Sequence, residues 1–159
     1  MKVLGIDIGT NSIGFCQMDL FNIKAFSIDL SNIKSHKARR YEIKSRLCFD
    51  FSCENNPDFI VVESVRLFHH NFINLDAIKR LGGIIYLIVD FYNCPVYQID
   101  TRSWKKIILG SSKVEKDYST IYIKGKYDII GNNDLADSVC LAECGMIINH
   151  YREKFKRIE

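Results

Sequence analysis

The chain opens on Met1-Lys2-Val3-Leu4-Gly5-Ile6-Asp7-Ile8-Gly9-Thr10, a nearly continuous apolar run with one acid inside it. Such a run reads as a strand buried on both faces, at the centre of a sheet that helices cover. A carboxylate in that setting is costly unless a metal ion or a paired base holds it. Gly5 and Gly9 would let a large ligand approach the backbone closely. Asp7 is therefore the first candidate for chemistry.

The rest of the chain reads as an α/β domain. Strands are expected over 2–8, 12–20 and 24–30, the first two joined by the turn Gly9-Thr10-Asn11. A helix is expected over 35–53, with Ala38, Tyr41, Leu47 and Phe51 as its apolar stripe and basic residues opposite. Asn55-Asn56-Pro57-Asp58 ends it, and Phe59-Ile60-Val61-Val62-Glu63 follows as a short buried strand. A long helix is expected over 71–93. Its second half, from Ile84 to Val89, is apolar all round and is a candidate for contact with a second subunit. A fifth strand over 95–99, a short helix over 101–109 and a loop over 110–113 come next. Ile121, Tyr122 and Ile123 favour a strand within 115–128, but the position between two helices favours a helix, which is the expectation. The last helix should start near Asn133, capped by Asn132 or Asn133, and run to about Phe155. No internal repeat or linker interrupts the 159 residues, so one domain over 1–159 is expected.

Composition excludes several classes. With 47% apolar residues and only 2 prolines the chain is globular, not disordered. No apolar run is long enough for a membrane span, and the N-terminus lacks the shape of a signal peptide. The expected location is the cytoplasm, of a bacterium or of a phage-infected host. The 6 cysteines include no Cys-x-x-Cys pair, so buried reduced thiols are expected rather than zinc ligation or disulfides. Net charge is only +3, but Lys34, Lys37, Arg39, Arg40, Lys44 and Arg46 cluster against the single acid Glu42. The tail over 152–157 is also basic. Such a run can be a solvated face or a phosphate-contacting surface.

Three further acids are placed to join Asp7. Glu63 ends a buried strand, where open α/β sheets bind ligands. Asp134 and Asp137 are three apart in the first turn of a helix, hence on one face, where the helix dipole also favours acids. Hard oxygen donors of this kind suit magnesium. Two divalent ions about 3.5–4 Å apart can activate water and stabilise the leaving oxygen of a phosphodiester. The expected roles are Asp7 bridging, Glu63 and Asp134 completing the ligand set, and Asp137 supporting the ion nearer the water.

The segments Gly5-Ile6-Asp7-Ile8-Gly9, Val62-Glu63 and Asp134-Leu135-Ala136-Asp137-Ser138 together resemble the RuvC Holliday-junction resolvases of the RNase H-like superfamily. The resemblance spans nearly the whole chain. The opening segment also looks like the start of the RuvC-type nuclease domain of far larger RNA-guided effectors. The resemblance implies an RNase H-like fold with a five-stranded mixed sheet flanked by helices. It also implies a homodimer, two Mg²⁺ or Mn²⁺ ions per site, and paired nicking of four-way and other branched DNA. No small-molecule substrate or membrane partner is implied. Lys105, in Lys105-Lys106-Ile107-Ile108-Leu109-Gly110, and Lys116 fit the family's two active-site lysines, which would hold the scissile phosphate or balance charge. Ser111-Ser112-Lys113 departs from the family's second glycine in that loop. Phe68 is the candidate for stacking on a base at the crossover. Arg66, Lys37, Arg39, Arg40, Lys44 and Lys113 are the candidate nucleic-acid contacts. His69 and His70 carry no assigned role.

Three other readings compete. Gly-Ile-Asp-Ile-Gly-Thr also resembles the first phosphate loop of sugar kinases and actin-like ATPases, which need a much longer chain. A non-catalytic junction-binding protein would have no reason to keep the four acids. An RNase H-type nuclease on another substrate shares the chemistry but not the target.

Overall fold

The computed structural model describes residues 1–9, 11–33, 37–64, 83–84, 86–87, 94–148 and 156–158. Its strands are β1 (Val3–Ile8), β2 (Ser12–Met18), β3 (Ile23–Asp29), β4 (Phe59–Glu63), β5 (Val96–Ile99) and β6 (Lys156–Ile158). The helices are α1 (Lys37–Asn55), α2 (Thr101–Leu109), α3 (Tyr118–Tyr127) and α4 (Asn133–Ile148). The sheet order is β3-β2-β1-β4-β5-β6. β1, β4 and β5 run parallel, while β2, β3 and β6 are antiparallel to their neighbours. The five-stranded mixed sheet of the RNase H-like fold is present, and β6 adds a short edge strand. The expected helix over 71–93 falls largely outside the described residues; within it Gly83, Ile84, Tyr86 and Leu87 are helical. The last helix is described to Ile148, and 149–155 lie outside the described residues.

Period-two alternation sorts the strands onto two faces. Val3, Phe59 and Val61 pack with α2, α3 and α4, together with Trp104, Ile123, Val139 and Leu141. Leu4, Ile6, Ile60 and Val62 point the other way, joining Phe15, Cys48 and Ile84. On that second face Phe15, Phe26 and Phe51 form an aromatic trio with centroids 4.8–5.2 Å apart, fixing α1 to the sheet. Cys16, Cys48, Cys140 and Cys144 are buried free thiols.

Within 115–128 the chain is helical over Tyr118–Tyr127 despite its strand-forming residues. Ile123 is fully buried, and Tyr122 and Lys126, four apart on one face, both reach the buried Glu143 of α4. Tyr122 Oη donates at 2.9 Å and Lys126 Nζ at 2.5 Å. Tertiary contact of this kind overrides propensity. Asp128, with φ of 56°, closes the helix in the left-handed conformation.

Glycines set how close α4 comes to the sheet. A Cβ on Gly14 would sit 2.0 Å from the Asp134 carbonyl oxygen, and one on Gly5 would sit 2.3 Å from that of Ser138. A Cβ on Gly145 would strike Val3 and Val61. Gly5 therefore makes room for a helix, not for a ligand: the open approach expected from sequence is filled by α4. Gly14→Ala and Gly5→Ala should each lower unfolding free energy by about 3 kcal/mol or more, as overpacking against backbone does at the upper end of its range. Gly125 of α3 has nothing within 4 Å of its would-be Cβ. Gly125→Ala should instead stabilise by about 0.5–1 kcal/mol. Urea denaturation of the three variants measures both effects.

Candidate active site

Asp7 shares the face of Val3 and Gly5, and Glu63 shares that of Phe59 and Val61, so both carboxylates lie on the side that α4 covers. β1 and β4 are parallel neighbours, which brings their acidic ends to one end of the sheet. Asp7 is paired with Gly14, and it is on Gly14 that the Asp134 backbone rests. The contact thus delivers the first turn of α4, with Asp134 and Asp137, to the same end. Asn132 caps that turn by accepting from the Leu135 amide at 3.0 Å.

The four acids act on one another electrostatically. Burial, then the charges of Glu63, Asp137 and Asp134, raise the Asp7 pKa well above the usual carboxylate range, while Lys44 lowers it. Asp137 is pushed up to about 6, first by burial, with the Ser119 hydroxyl and Lys105 acting in the opposite direction to Glu63 and Asp134.

Each acid is held differently. Glu63 accepts from the Thr101 hydroxyl and, at 3.3 Å, from the indole nitrogen of the fully buried Trp104. Asp134 Oδ2 accepts from Ser12 Oγ at 2.6 Å. Asp137 Oδ1 is buried and has no hydrogen-bond partner. An orphaned buried carboxylate oxygen beside other acids fits a divalent cation, whose preferred ligands are hard oxygens. Among the described residues, no three His, Cys, Asp or Glu side chains already converge as ligands of one ion. Thr101 and Trp104 instead engage the Glu63 carboxylate, and Ser12 engages that of Asp134. Asp7, Glu63, Asp134 and Asp137 are the residues that would hold the metal.

The lysines and arginines divide. Lys105 is partly buried on α2, its ammonium 5.5 Å from the Trp104 ring centre and acting on Asp137. Lys116 lies exposed in the turn before α3, and Lys113 is exposed in the preceding loop. Phe68, Arg66, His69 and His70 lie outside the described residues, as do the side chains of Lys37, Arg39 and Arg40. Lys44 departs from expectation. Placed on the basic outer face from sequence, it is fully buried, and its ammonium donates to the Gly9 carbonyl. The signal was available: Lys44 stands three residues after Tyr41, four before Cys48 and seven before Phe51, on the apolar face of α1. Ser12, Thr101 and Trp104 had no local signal, since each matters through a partner distant in sequence.

A mixed sheet in this order, with its acids gathered at one end beneath a helix seated on glycines, is an RNase H-like fold. No family model matches the chain. It is 26% identical over 159 residues to the crossover junction endodeoxyribonuclease RuvC of Rickettsia typhi, covering 95% of this chain and 100% of that one. Against the same-named protein of Rickettsia prowazekii it is 28% identical over 160 residues, with the same coverage. Among solved structures, Thermus thermophilus RuvC in complex with a Holliday junction substrate superposes with a TM-score of 0.78 at 15% identity, over 99% of both chains. Another Thermus thermophilus RuvC structure gives 0.75 at 17% identity, over 99% of this chain and 100% of that one. Over nearly its whole length the chain is thus similar in sequence to proteins named RuvC, and in fold to solved RuvC structures.

The raised Asp137 pKa has a pH signature. With a folded-state value near 6 and an ordinary value of 3.8, Asp137 keeps its proton in the fold while the unfolded chain releases it. Its contribution is present in full below about pH 4, is lost as pH rises to about 6, and the loss amounts to about 2–3 kcal/mol. Asp137→Asn cannot ionise. In EDTA its stability relative to wild type should rise between pH 4 and 6.5 and then level off, as measured by chemical denaturation across that range.

Proposed function

We propose that the protein is a metal-dependent endonuclease that resolves four-way and related branched DNA junctions by paired nicking. The observation that carries the reading is the gathering of Asp7, Glu63, Asp134 and Asp137 at one end of the sheet, with an orphaned Asp137 oxygen among them. The lengthwise likeness to relatives named crossover junction endodeoxyribonuclease supports the substrate.

Two bound divalent ions, Mg²⁺ or Mn²⁺, would supply an activated water and neutralise charge on the leaving oxygen. The chain's own residues do the rest. Asp7, on the rigid central strand, fixes the middle of the site. Thr101 and Trp104 restrain Glu63, and Ser12 restrains Asp134, which limits the reorganisation needed when a phosphate arrives. Asp137, on the same helix turn as Asp134, presents its unpartnered oxygen where a proton can be held or given up near neutral pH. Lys105, beside Asp137, and Lys116, at the exposed rim, would contact the scissile phosphate. Lys113, Arg39, Arg40 and Lys37 would follow the backbone outward, and Phe68 and Arg66 would act at the crossover.

Two cuts in one junction call for two sites related by a twofold axis, hence a homodimer. Ile84 is buried, whereas Tyr86 and Leu87, in the same helical stretch, are exposed aromatic and aliphatic side chains suited to a subunit contact.

The test incubates the protein with a synthetic four-way junction, a linear duplex and an RNA–DNA hybrid, with and without Mg²⁺. The junction should be nicked symmetrically and only with metal. Asp7→Asn should bind it without cutting, and Lys105→Ala should lose about 10²-fold in kcat with little change in binding. Cleavage of the hybrid alone would replace the resolvase reading with an RNase H-type one. Light scattering at micromolar concentration should report a dimer, and Tyr86→Glu should shift it towards monomer.

A further inference from the structure

Lys44 is a fully buried lysine that the proposed reaction does not use. It projects from α1, on the sheet face opposite the acids, and its ammonium donates to the Gly9 carbonyl, two residues beyond Asp7 at the end of the same strand. A buried ammonium is expensive unless anions and hydrogen bonds compensate it. Besides the Gly9 carbonyl, the acid cluster contributes to that compensation: Lys44 is a cation that acts on Asp7 while Glu63, Asp134 and Asp137 oppose it. Lys105, by contrast, acts on Asp137 from the cluster's other side.

We propose that Lys44 is a positioning residue that serves as a built-in counter-cation, holding the end of β1 in place and offsetting carboxylate repulsion until divalent metal takes over that work. The inference rests on the reading of the four acids as a metal site. It separates from a plain packing role through linkage. A packing residue would stabilise the protein equally with and without metal. A counter-cation stabilises the metal-free form most, because a nearby positive charge also opposes the incoming ion.

The experiment measures thermal unfolding of wild type, Lys44→Met and Lys44→Arg at pH 8, in EDTA and across a Mg²⁺ and Mn²⁺ titration, with no DNA present. Lys44→Met should melt lower than wild type in EDTA, recover most of the difference at saturating metal, and show a several-fold lower apparent metal dissociation constant. Lys44→Arg, which keeps the charge, should resemble wild type in the size of its metal response. Equal losses in Lys44→Met with and without metal, or weaker metal binding, would overturn the proposal. Should Lys44→Met not fold alone, the pair Asp7→Asn/Lys44→Met reads the same coupling. Removing the Asp7 carboxylate should restore a folded, metal-free protein, whereas a packing role predicts that it stays unfolded. If wild type shows no metal-induced stabilisation at all, the metal-site reading fails and this inference with it.

Discussion

The site depends on how deeply α4 sits in the sheet. Asp134, Ser138, Ala142 and Gly145 recur at spacings of four, four and three, so they form one stripe along the helix. Where that stripe meets β1, β2 and β4, glycine is present on one side or the other, and the backbones come within the radius of a missing methyl. This contact fixes the rise and rotation of α4 together. A helix standing off by the depth of one side chain would carry Asp134 and Asp137 away from Asp7 and Glu63. The carboxylate cluster is thus a product of backbone packing as much as of the acids themselves.

Two local signals made most of this visible in the sequence. An acid inside or at the end of a continuous apolar run marked Asp7 and Glu63, and the i, i+3 spacing placed Asp134 and Asp137 on one helix face. Both are local rules, and they located the acids with no knowledge of the sheet order. They failed where the partner is distant. Thr101 and Trp104 hold Glu63 across the β4–α2 junction, and Ser12 holds Asp134 across almost the whole chain. Gly5 was noticed for the right property, its lack of a side chain, but the space is taken by α4. Lys44 was assigned by charge among its basic neighbours, whereas its helical phase puts it with Cys48 and Phe51. Charge marked the run, and periodicity would have marked the exception.

The two faces of the sheet divide the labour of the site. The α4 face carries every acid and the restraints on Glu63 and Asp134. The α1 face carries an aliphatic and aromatic layer, with Lys44 reaching past it to the end of β1. Asp7 stands between the two, exposed to like charge from one side and opposite charge from the other. Lys44 only partly offsets burial and the other acids, so the Asp7 carboxyl is held well above the usual carboxylate range.

The turn between β2 and β3 lies at the other end of the sheet, beside Met1, Lys2, Asn56 and Asp58, around a cavity of about 350 Å³. Asp19 ties the turn by accepting from the Phe21 and Asn22 amides, and Phe21 is 91% exposed at its tip. Because β1 runs its full length between this turn and Asp7, about 20 Å of strand separates the two. The distance makes the turn a natural attachment point. A fluorophore, an affinity handle or a tether to a surface placed there would sit a full strand's length away from the acidic end of the sheet and leave that end unencumbered.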